Sequence, residues 1–414
     1  MSKTFKRTTE QKVMRDPVHG YIHVDYQVIW DLINAKEFQR LRRIHQLGGT
    51  FQVYHTAEHS RFSHSLGVYE VVRLMIDKIE GLRGELSEFE VVALLCAGLL
   101  HDIGHGPYSH AFEAVTSVHH ETFTSRIILE DTDVNRILSD VNPLLPQFVD
   151  DIISHRCDRV LLTQMISSQL DADRMDYLLR DSYFTGVSYG EFDLHRILRT
   201  LKVVDDRLVL KVSGIHAVED YIMARYQMYW QVYLHPTSRS FEVILLSLFK
   251  RMRELVEAGS GVINELDFFL PFLQDKEESI SLEAHFLLDE SACNYGFSKL
   301  MSSSDPVLRD LSYRLVNRDL FQYRDLLNSE QKKAICERVV ESGYDPAYYC
   351  VQDFTTQVLY TPYEEAAGRS MEVVDTEGVI TELSSLSNIV KGFVMGETKE
   401  DSKIFFPREV DYEF

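Results

Sequence analysis

Hydrophobic and polar positions follow a helical period along most of the chain, from about residue 28 to residue 255. The clearest segment is SEFEVVALLCAGLLHD, in which Ser87 and Glu90 have the spacing of a capping box. After Glu90 this segment is apolar on nearly every side, which predicts a helix buried inside a bundle. The turn HDIGHGPYSH, rich in glycine and proline, then ends the helix.

The pattern changes towards the C-terminus. Residues 258–306 are less periodic, and SSSDP at its end predicts a linker into a helix with Pro306 at the first position. From about residue 347, AYYCVQDFTTQVLY and DSKIFFPREV are β-branched and aromatic, which is typical of strands. The pattern therefore predicts a mostly α fold, a helical bundle with a smaller α+β C-terminal lobe.

Composition bears on location more than on fold. No run of about 18 apolar residues occurs, and the first thirty residues lack the apolar segment of a signal peptide. The five cysteines are scattered without a CxxC pair, which indicates reduced thiols and argues against a disulfide framework or a thiolate zinc site. We expect a cytoplasmic protein that contacts no membrane.

The charge balance restricts the ligands. Lys and Arg total 43 against 64 Asp and Glu, so the formal net charge is −21. A field of this sign repels nucleic acid, which we do not expect as a partner, and an anionic ligand requires local cations. The basic stretch RLRRIHQ could still bind a single strand, although a solvated helix face explains it as well.

Residues able to bind a metal gather around the end of the buried helix. His101 and Asp102 are adjacent there and can converge on one ion, although a solvated helix end explains the pair alone. His64 in RFSHSLGV and Asp173 in QLDADRMDYLLRD add a second imidazole and a second carboxylate. Such a set, with positions left open, suits a divalent ion that activates water, and Mn, Mg, Fe or Zn would fit.

Six segments in a fixed order point to one family. They are RDPVHGYI, FQRLRRIHQLGGTFQVY, HSRFSHSLGV, LLHDIGHGPYSH, HHE and DADRMDYLLRD. Together they resemble the HD-domain deoxynucleoside triphosphate triphosphohydrolases, a family with bacterial members and a vertebrate antiviral one. The resemblance implies an HD-domain helical bundle that hydrolyses dNTPs to a deoxynucleoside and intact triphosphate.

The resemblance also suggests how the chain is divided. Residues 1–50 would form an N-terminal regulatory, nucleotide-binding segment, and residues 51–256 the HD metal-dependent core. Residues 257–346 would form a helical extension, and residues 347–414 the α+β lobe.

Metal and catalytic positions follow from the resemblance. The metal ligands are matched by His64, His101, Asp102 and Asp173. His120 matches the proposed catalytic acid and works with His105 and Glu113, where the family usually has an aspartate at the last position. A histidine suits this role because its pKa near neutrality allows it to protonate the departing 5′-oxygen. The adjacent His119 is the alternative acid.

Substrate positions are implied in the same way. They are Gln46, Leu47, Arg61, His105, His110, Arg174, Tyr177, Asp181 and His235. Arg61 and Arg174 match triphosphate contacts, where a guanidinium can form two parallel hydrogen bonds. Gln46 and Asp181 match positions at the 3′-hydroxyl, and His235 lies where the family contacts the base. Solvent exposure explains the polar face of Asp181 equally well, and core packing explains the aromatic residues around His235.

Regulation is a further expectation from the resemblance, with dGTP as an effector bound between subunits of a homotetramer. The matching positions are Lys12, Val13, Asn34, Gln39, Arg42, Arg196 and Arg318. Asn34 replaces an aspartate that would recognise the guanine edge, and Gln322 replaces a lysine. We therefore expect dGTP activation with weaker guanine discrimination, since an amide oxygen accepts hydrogen bonds without carrying a charge.

Two alternatives stay open at this stage. Another enzyme of the HD superfamily, a phosphodiesterase or a 5′-nucleotidase, would use the same metal and release different products. A nucleotide-sensing or single-stranded nucleic-acid-binding protein would need no turnover. Neither the native metal nor the order of preference among the four dNTPs follows from the sequence.

Overall fold

The computed structural model describes residues 5–116, 119–274, 279–357, 371–395 and 399–411. Helices make up most of this length. The first twelve are α1 (Gln27–Asn34), α2 (Lys36–Arg40), α3 (Arg61–Lys78), α4 (Leu82–Glu85), α5 (Glu88–Leu100), α6 (His110–Thr116), α7 (His120–Leu129), α8 (Asp133–Val141), α9 (Leu145–Ile153), α10 (Val160–Ile166), α11 (Ala172–Thr185) and α12 (Leu194–Thr200).

The later helices begin with α13 (Ile215–Met228), which continues through a π-helical turn, Tyr229–Tyr233, to α14. The others are α14 (Pro236–Glu257), α15 (Leu270–Gln274), α16 (Leu282–Leu287), α17 (Glu290–Leu300), α18 (Pro306–Asn317), α19 (Ser329–Glu341), α20 (Pro346–Tyr349), α21 (Leu383–Leu386) and α22 (Asn388–Met395).

Nine short strands form three small sheets within the described residues. The strands are β1 (Arg7–Asp16), β2 (Gly20–Tyr26), β3 (Leu201–Val204), β4 (Arg207–Lys211), β5 (Gln322–Asp325), β6 (Val351–Gln357), β7 (Glu372–Val374), β8 (Ile380–Glu382) and β9 (Lys399–Phe406). The sheet orders are β1-β2, β3-β4-β7-β8 and β5-β9-β6, with only β4 and β7 parallel. The predicted class is confirmed: the fold is mostly α, and two of the three small sheets include strands from the C-terminal part of the chain.

Local sequence signals explain several helix ends. Ser87 and Glu90 form the predicted capping box of α5, and every residue of that helix from Val91 to Leu100 is buried. Pro306 stands at the first position of α18, where Asp305 accepts hydrogen bonds from the next backbone amides. Both arrangements satisfy amide groups that the helix itself leaves without partners.

Two hydrophobic cores lie side by side. The first is built from α1, α3, α5, α9, α10, α11 and α13, and Val373 of β7 and Val390 of α22 join it. The second surrounds α14 and contains side chains of α17 to α20 together with β9. Tyr108, Phe112 and Phe123 also belong to the second core. The turn after α5 therefore leaves the first core and enters the second.

The cysteine expectation is wrong at one pair. Cys336 of α19 and Cys350, just after α20, are joined by a disulfide across Cα atoms 5.6 Å apart. Two cysteines 14 residues apart match no motif that the sequence analysis could use. Only the packing of α19 beside α20 brings them together. Cys96, Cys157 and Cys293 are free thiols.

The helices also bear on whether the chain could span a membrane. Within the residues that the structure describes, no helix combines the length and the apolar character that crossing a bilayer requires.

Candidate active site

The C-terminal end of α5 delivers the His–Asp pair. His101 follows the last helical residue, and its Nδ1 lies 3.0 Å from the carbonyl oxygen of Gly98. A carbonyl oxygen only accepts, so Nδ1 carries the hydrogen and a neutral His101 presents the lone pair of Nε2. That atom faces Asp102 and Asp173.

The four predicted metal ligands come together. Nε2 of His64 lies 3.0 Å from Oδ1 of Asp173 and 3.7 Å from Oδ2 of Asp102. Nε2 of His101 lies 3.4 Å from Oδ1 of Asp102 and 3.5 Å from Oδ1 of Asp173. Two ligand atoms that each lie about 2.0–2.2 Å from one divalent ion are about 3–4 Å apart, so these distances fit a shared ion.

An unsatisfied atom supports the same assignment. Nε2 of His101 is buried and makes no hydrogen bond within the described residues. Buried polar atoms without partners are uncommon, and a cation at the centre of the four side chains would satisfy this one. Two imidazoles and two carboxylates suit Mn, Fe, Zn or Mg, and the donor set does not select among them.

The predicted metal ligands shift one another's pKa values. Burial alone lowers the pKa of His64, but hydrogen bonds with Asp173 and Asp176 outweigh it and raise that pKa to about 10. Burial raises the pKa of Asp173, and the two histidines more than reverse this and hold it well below its usual range. The carboxylates are therefore ionised and ready to bind a cation.

Behind His64 lies a buried carboxylate that the sequence analysis did not single out. Oδ2 of Asp176 lies 2.8 Å from Nδ1 of His64. The same carboxylate accepts hydrogen bonds from His19 and Arg180. The signal was present, since Asp176 is three residues after Asp173 on α11 and His19 lies in the quoted segment RDPVHGYI.

The three predicted catalytic residues form a second group beside the first. Nδ1 and the backbone amide of His120 both contact Oε1 of Glu113, the amide at 3.0 Å. The rings of His105 and His120 stack with centroids 3.8 Å apart. Nε2 of His105 lies 3.4 Å from Oδ1 of Asp102, which joins the two groups. The side chain of His119 is exposed, so His120 is the histidine at the site.

Burial and nearby cations keep His105 neutral. Burial lowers the pKa of His105 well below its usual range, and Arg61 and His120 lower it further. A neutral imidazole beside Asp102 can donate or accept a hydrogen bond without adding charge.

The turn that carries His105 is held from several sides. Arg40 donates to the carbonyl oxygens of His105 and Leu288, each at 2.8 Å. Glu290 accepts from the backbone amide of Tyr108 at 3.2 Å. A Cβ at Gly104 would overlap α7, so this position requires glycine. No local pattern predicts that Arg40, Leu288 and Glu290 support this turn, because they lie far from it along the chain.

The two predicted triphosphate arginines are differently placed. Arg61 is buried and contacts both Asp102 and Ser109, the latter at 2.7 Å. Arg174 is part-buried and pairs with Asp171.

A third cation, Arg225, was missed by the sequence analysis. Burial raises the pKa of Tyr177, and the positive charges of Arg225 and Arg174 oppose that rise. Nε of Arg225 is buried without a hydrogen bond inside the described part of the chain. Its position on α13, just before the predicted base-contacting segment, was the available signal.

The residues predicted around the sugar and base are only partly grouped. Asp181 is buried and lies 2.8 Å from both Nε2 of His59 and the hydroxyl of Tyr233. The ring of Tyr177 lies 6.4 Å from that of His64, which brings it to the metal ligands. Nδ1 of His235 accepts the backbone amide of Thr237 at the start of α14, and no described contact joins it to those ligands.

Three further predicted positions remain. Oε1 of Gln46 is buried without a hydrogen bond within the described residues, and Leu47 packs against the first core. The side chain of His110 lies outside the described residues.

The predicted regulatory residues fall into two sets. Gln39 accepts from Nε of Arg42 at 2.8 Å, and the ammonium of Lys12 lies 5.4 Å from the ring of Trp30. The exposed amide of Asn34 donates to the carbonyl oxygen of Trp30 at 2.7 Å, while Val13 is exposed on β1.

The other set is Arg196 and Arg318. Arg196 donates to the carbonyl oxygen of Ser213 at 3.0 Å, and Arg318 donates to that of Gln52 at 2.9 Å. No described hydrogen bond joins this set to the set around Trp30.

Comparison with known proteins agrees with this geometry. Residues 61–181 match the HD domain family, and residues 192–267 match the HD associated region. The chain is 46% identical to the uncharacterized protein YwfO of Bacillus subtilis, over 98% of this chain and 94% of that protein. It is 31% identical to a Dictyostelium discoideum protein named deoxynucleoside triphosphate triphosphohydrolase SAMHD1 homolog, over 76% of this chain and 60% of that protein.

A solved structure extends the likeness to the whole fold. A phosphohydrolase from Bacteroides thetaiotaomicron superposes with a TM-score of 0.85 at 30% identity and covers 96% of this chain and 100% of that one.

Proposed function

This chain belongs to the HD-domain phosphohydrolases, and we propose that it hydrolyses deoxynucleoside triphosphates to a deoxynucleoside and inorganic triphosphate. The observation that carries the proposal is the position of His120. Its ring stacks on His105 beside Asp102, so an acid paired with Glu113 stands next to the four metal ligands.

The metal ligands define the attacking side of the reaction. His64, His101, Asp102 and Asp173 would hold a divalent ion, which would supply Lewis acidity that lowers the pKa of water towards neutrality. The chain contributes ionised carboxylates and a buried setting, which strengthens each electrostatic contact.

His120 serves the departing side. Attack of water at the α-phosphorus breaks the bond to the deoxyribose 5′-oxygen, and that oxygen takes a proton as it leaves. Glu113 holds Nδ1 of His120, so the proton comes from Nε2. The products balance as one deoxynucleoside and one intact triphosphate.

Three arginines compensate the charge of the substrate. The chain carries a net charge of −21, so a triphosphate needs cations close at hand. Arg61 contacts Asp102, Arg174 precedes Tyr177 by three residues on α11, and the charge of Arg225 acts on the Tyr177 phenol. Arg225 makes a third contact in this proposal because its Nε has no hydrogen bond within the described residues.

The sugar and base contacts complete the proposal. Asp181 is held rigidly by His59 and Tyr233, and with Gln46 it would bind the 3′-hydroxyl. Leu47 and Tyr177 would pack against the deoxyribose and leave no space for a 2′-hydroxyl. His235 would lie near the base, and the resemblance also assigns His110 to substrate binding.

Product identity tests the activity. The protein, supplied with Mn²⁺ or Mg²⁺, is incubated with dGTP, and products are separated by ion exchange beside a Glu113→Gln variant. Deoxyguanosine with intact triphosphate, formed more slowly by the variant, supports the proposal. Monophosphate with pyrophosphate, or free phosphate, places the cleavage elsewhere and rejects it. Binding without turnover under any metal favours a nucleotide-sensing protein.

Regulation is a separate part of the proposal. Lys12, Val13, Gln39 and Arg42, with Asn34, would bind dGTP between subunits of a homotetramer, and Arg196 and Arg318 would contribute from the other set. Hydrolysis of dATP should then appear only when a little dGTP is added. An Asn34→Asp variant should discriminate more sharply between dGTP and dATP as activators, since a carboxylate accepts from guanine more strongly. If the rate of dATP hydrolysis is the same with and without dGTP, the proposed regulation is contradicted.

A further inference from the structure

Asp176 lies behind the proposed metal ligand His64 and is completely buried. Its Oδ2 accepts from Nδ1 of His64 at 2.8 Å, and its Oδ1 accepts from Nε2 of His19 at 2.6 Å. Arg180 donates to both oxygens, each at 2.9 Å. One carboxylate therefore joins α11 to α3 and to the turn between β1 and β2.

The charges in this buried group are balanced. Arg180, His19 and His64 all donate to Asp176, so both of its oxygens are surrounded by donors. A second carboxylate, Asp16, accepts from Nη1 of Arg180 at 2.9 Å. The guanidinium is thus paired on two sides and leaves Asp176 free to accept from both histidines.

The turn is built around the same group. Oδ1 of Asp16 accepts the backbone amides of Val18 and His19, both at 2.9 Å. The side chain of His19 is almost fully buried, with 3% of it exposed. Asp16 therefore fixes the backbone of the turn while His19 reaches inward.

Gly67 of α3 supplies an independent observation. A Cβ at this position would overlap Oδ1 of Asp176 and Nη2 of Arg180. The carboxylate and guanidinium lie directly against the helix that carries His64, and only glycine leaves them room.

We propose that Asp176 and His19 are positioning residues for His64. A carboxylate that accepts from Nδ1 keeps a hydrogen there and fixes the ring, so Nε2 is the nitrogen that faces Asp173 and Asp102 and gives up its proton when an ion binds. His19 holds the carboxylate in line and ties this orientation to the β1-β2 turn. The proposal rests on the metal site of the proposed function, though not on its substrate.

Strand β1, which carries Lys12 and Val13 of the proposed regulatory set, ends at this turn. A change in this hairpin would therefore reach a metal ligand through two hydrogen bonds, His19 to Asp176 and Asp176 to His64.

The affinity of the protein for a metal ion tests the positioning roles of Asp176 and His19 independently of any enzymatic activity. Binding of Mn²⁺ to the full-length protein is measured by equilibrium dialysis for His19→Phe, His19→Gln and Asp176→Asn. His23→Phe is the matched control, because His23 lies on the same hairpin and its ring bonds the exposed Gln11. Thermal unfolding without metal shows which variants fold.

The expected pattern is specific. His19→Phe and Asp176→Asn should weaken Mn²⁺ binding by about 10- to 100-fold, the usual effect of losing a residue that orients a metal ligand. His19→Gln should recover much of the affinity, since its amide N–H can still donate to Asp176. His23→Phe should match the wild type.

Two outcomes would overturn the proposed positioning roles. Equal Mn²⁺ affinity in the wild type and His19→Phe would show that His64 needs no such support. Equal losses in His19→Phe and His23→Phe would reduce the effect to general weakening of the hairpin. If Asp176→Asn fails to fold, the two His19 variants decide the matter. If the pattern holds but no triphosphate is released from any dNTP, the proposed function fails while the positioning roles stand.

Discussion

The two halves of the site are built in different ways. The metal half, His64, His101 and Asp173, lies on or next to helices α3, α5 and α11 of the first core. The acid half, His105 and His120 with Glu113, lies where the chain passes into the second core. The first is held by neighbours within one bundle, whereas the second also depends on Leu288 and Glu290.

The two halves should therefore respond to different substitutions. Loss of a metal ligand removes a donor from a rigid set without disturbing the turn. The acid half depends on a turn whose backbone is fixed by Arg40 and Glu290, so it can be displaced by changes far from His120. Variants that disturb one half at a time should separate metal binding from proton donation.

The largest effect is expected in the metal half. Asp173→Asn should reduce hydrolysis by at least about 10,000-fold, since the Lewis acid that activates water is lost with its ligand. Bound Mn²⁺, measured by atomic absorption after dialysis, should fall with the activity. Asp140→Asn, an exposed carboxylate on α8, serves as the control and should keep both. Full metal content with lost activity would contradict the ligand assignment.

The next effect belongs to the acid half. His120→Asn should lower kcat by about 100- to 10,000-fold, the contribution expected of a general acid. Its Mn²⁺ content should stay at the wild-type level, because His120 is not among the four ligands. The neighbouring His119→Asn tests the alternative acid and should remain active, since that side chain is exposed. The reverse result would exchange the roles of the two histidines.

A distant support should give a smaller loss. Oε1 of Glu290 accepts from the backbone amides of His45 and Tyr108, and Oε2 contacts Nδ1 of His45. Glu290→Gln keeps only one of these oxygens and loses the charge, so the contacts to the two amides weaken even where that oxygen still faces them. The turn should shift and kcat should fall by about 10- to 100-fold, as for a small misplacement of catalytic groups. Mn²⁺ affinity should not change, and Glu283→Gln, exposed on α16, is the control. Weaker Mn²⁺ binding would mean that the two halves are not separable.

The smallest effect lies outside both halves. Asp305→Ala removes the cap of α18 and should cost about 1 kcal/mol of unfolding free energy, measured in urea, with activity retained. Arg251 and the capped amides outweigh burial and lower the pKa of Asp305 below its ordinary 3.8. Its contribution is therefore present at neutral pH and is lost as pH falls below that value. A wild-type advantage that grows on acidification would contradict this.

Local signals explain the parts that were correctly predicted. The capping box at Ser87 and the unbroken apolar segment after it determined α5, because both act within a few residues. The predicted metal ligands could be nominated because each lies in a short recognisable segment at the end or on the face of a helix. The resemblance of those segments to a family named their chemistry, which spacing alone left open.

Other parts depended on residues far apart in the chain. The charge of Arg225 acts on Tyr177 because α13 packs against α11, and Cys336 meets Cys350 because α19 lies beside α20. No periodicity records such pairings, since they arise when whole helices pack.

Local capping, periodicity and short motifs were enough to predict the helical class and the end of α5, and they also nominated His64, His101, Asp102 and Asp173 as metal ligands. The tertiary structure alone decided that Asp176 orients towards His64 and that Glu290 holds the turn of His105. Both contacts join residues more than a hundred positions apart, and burial of their charges is stable only when the packed cores bring donor and acceptor together.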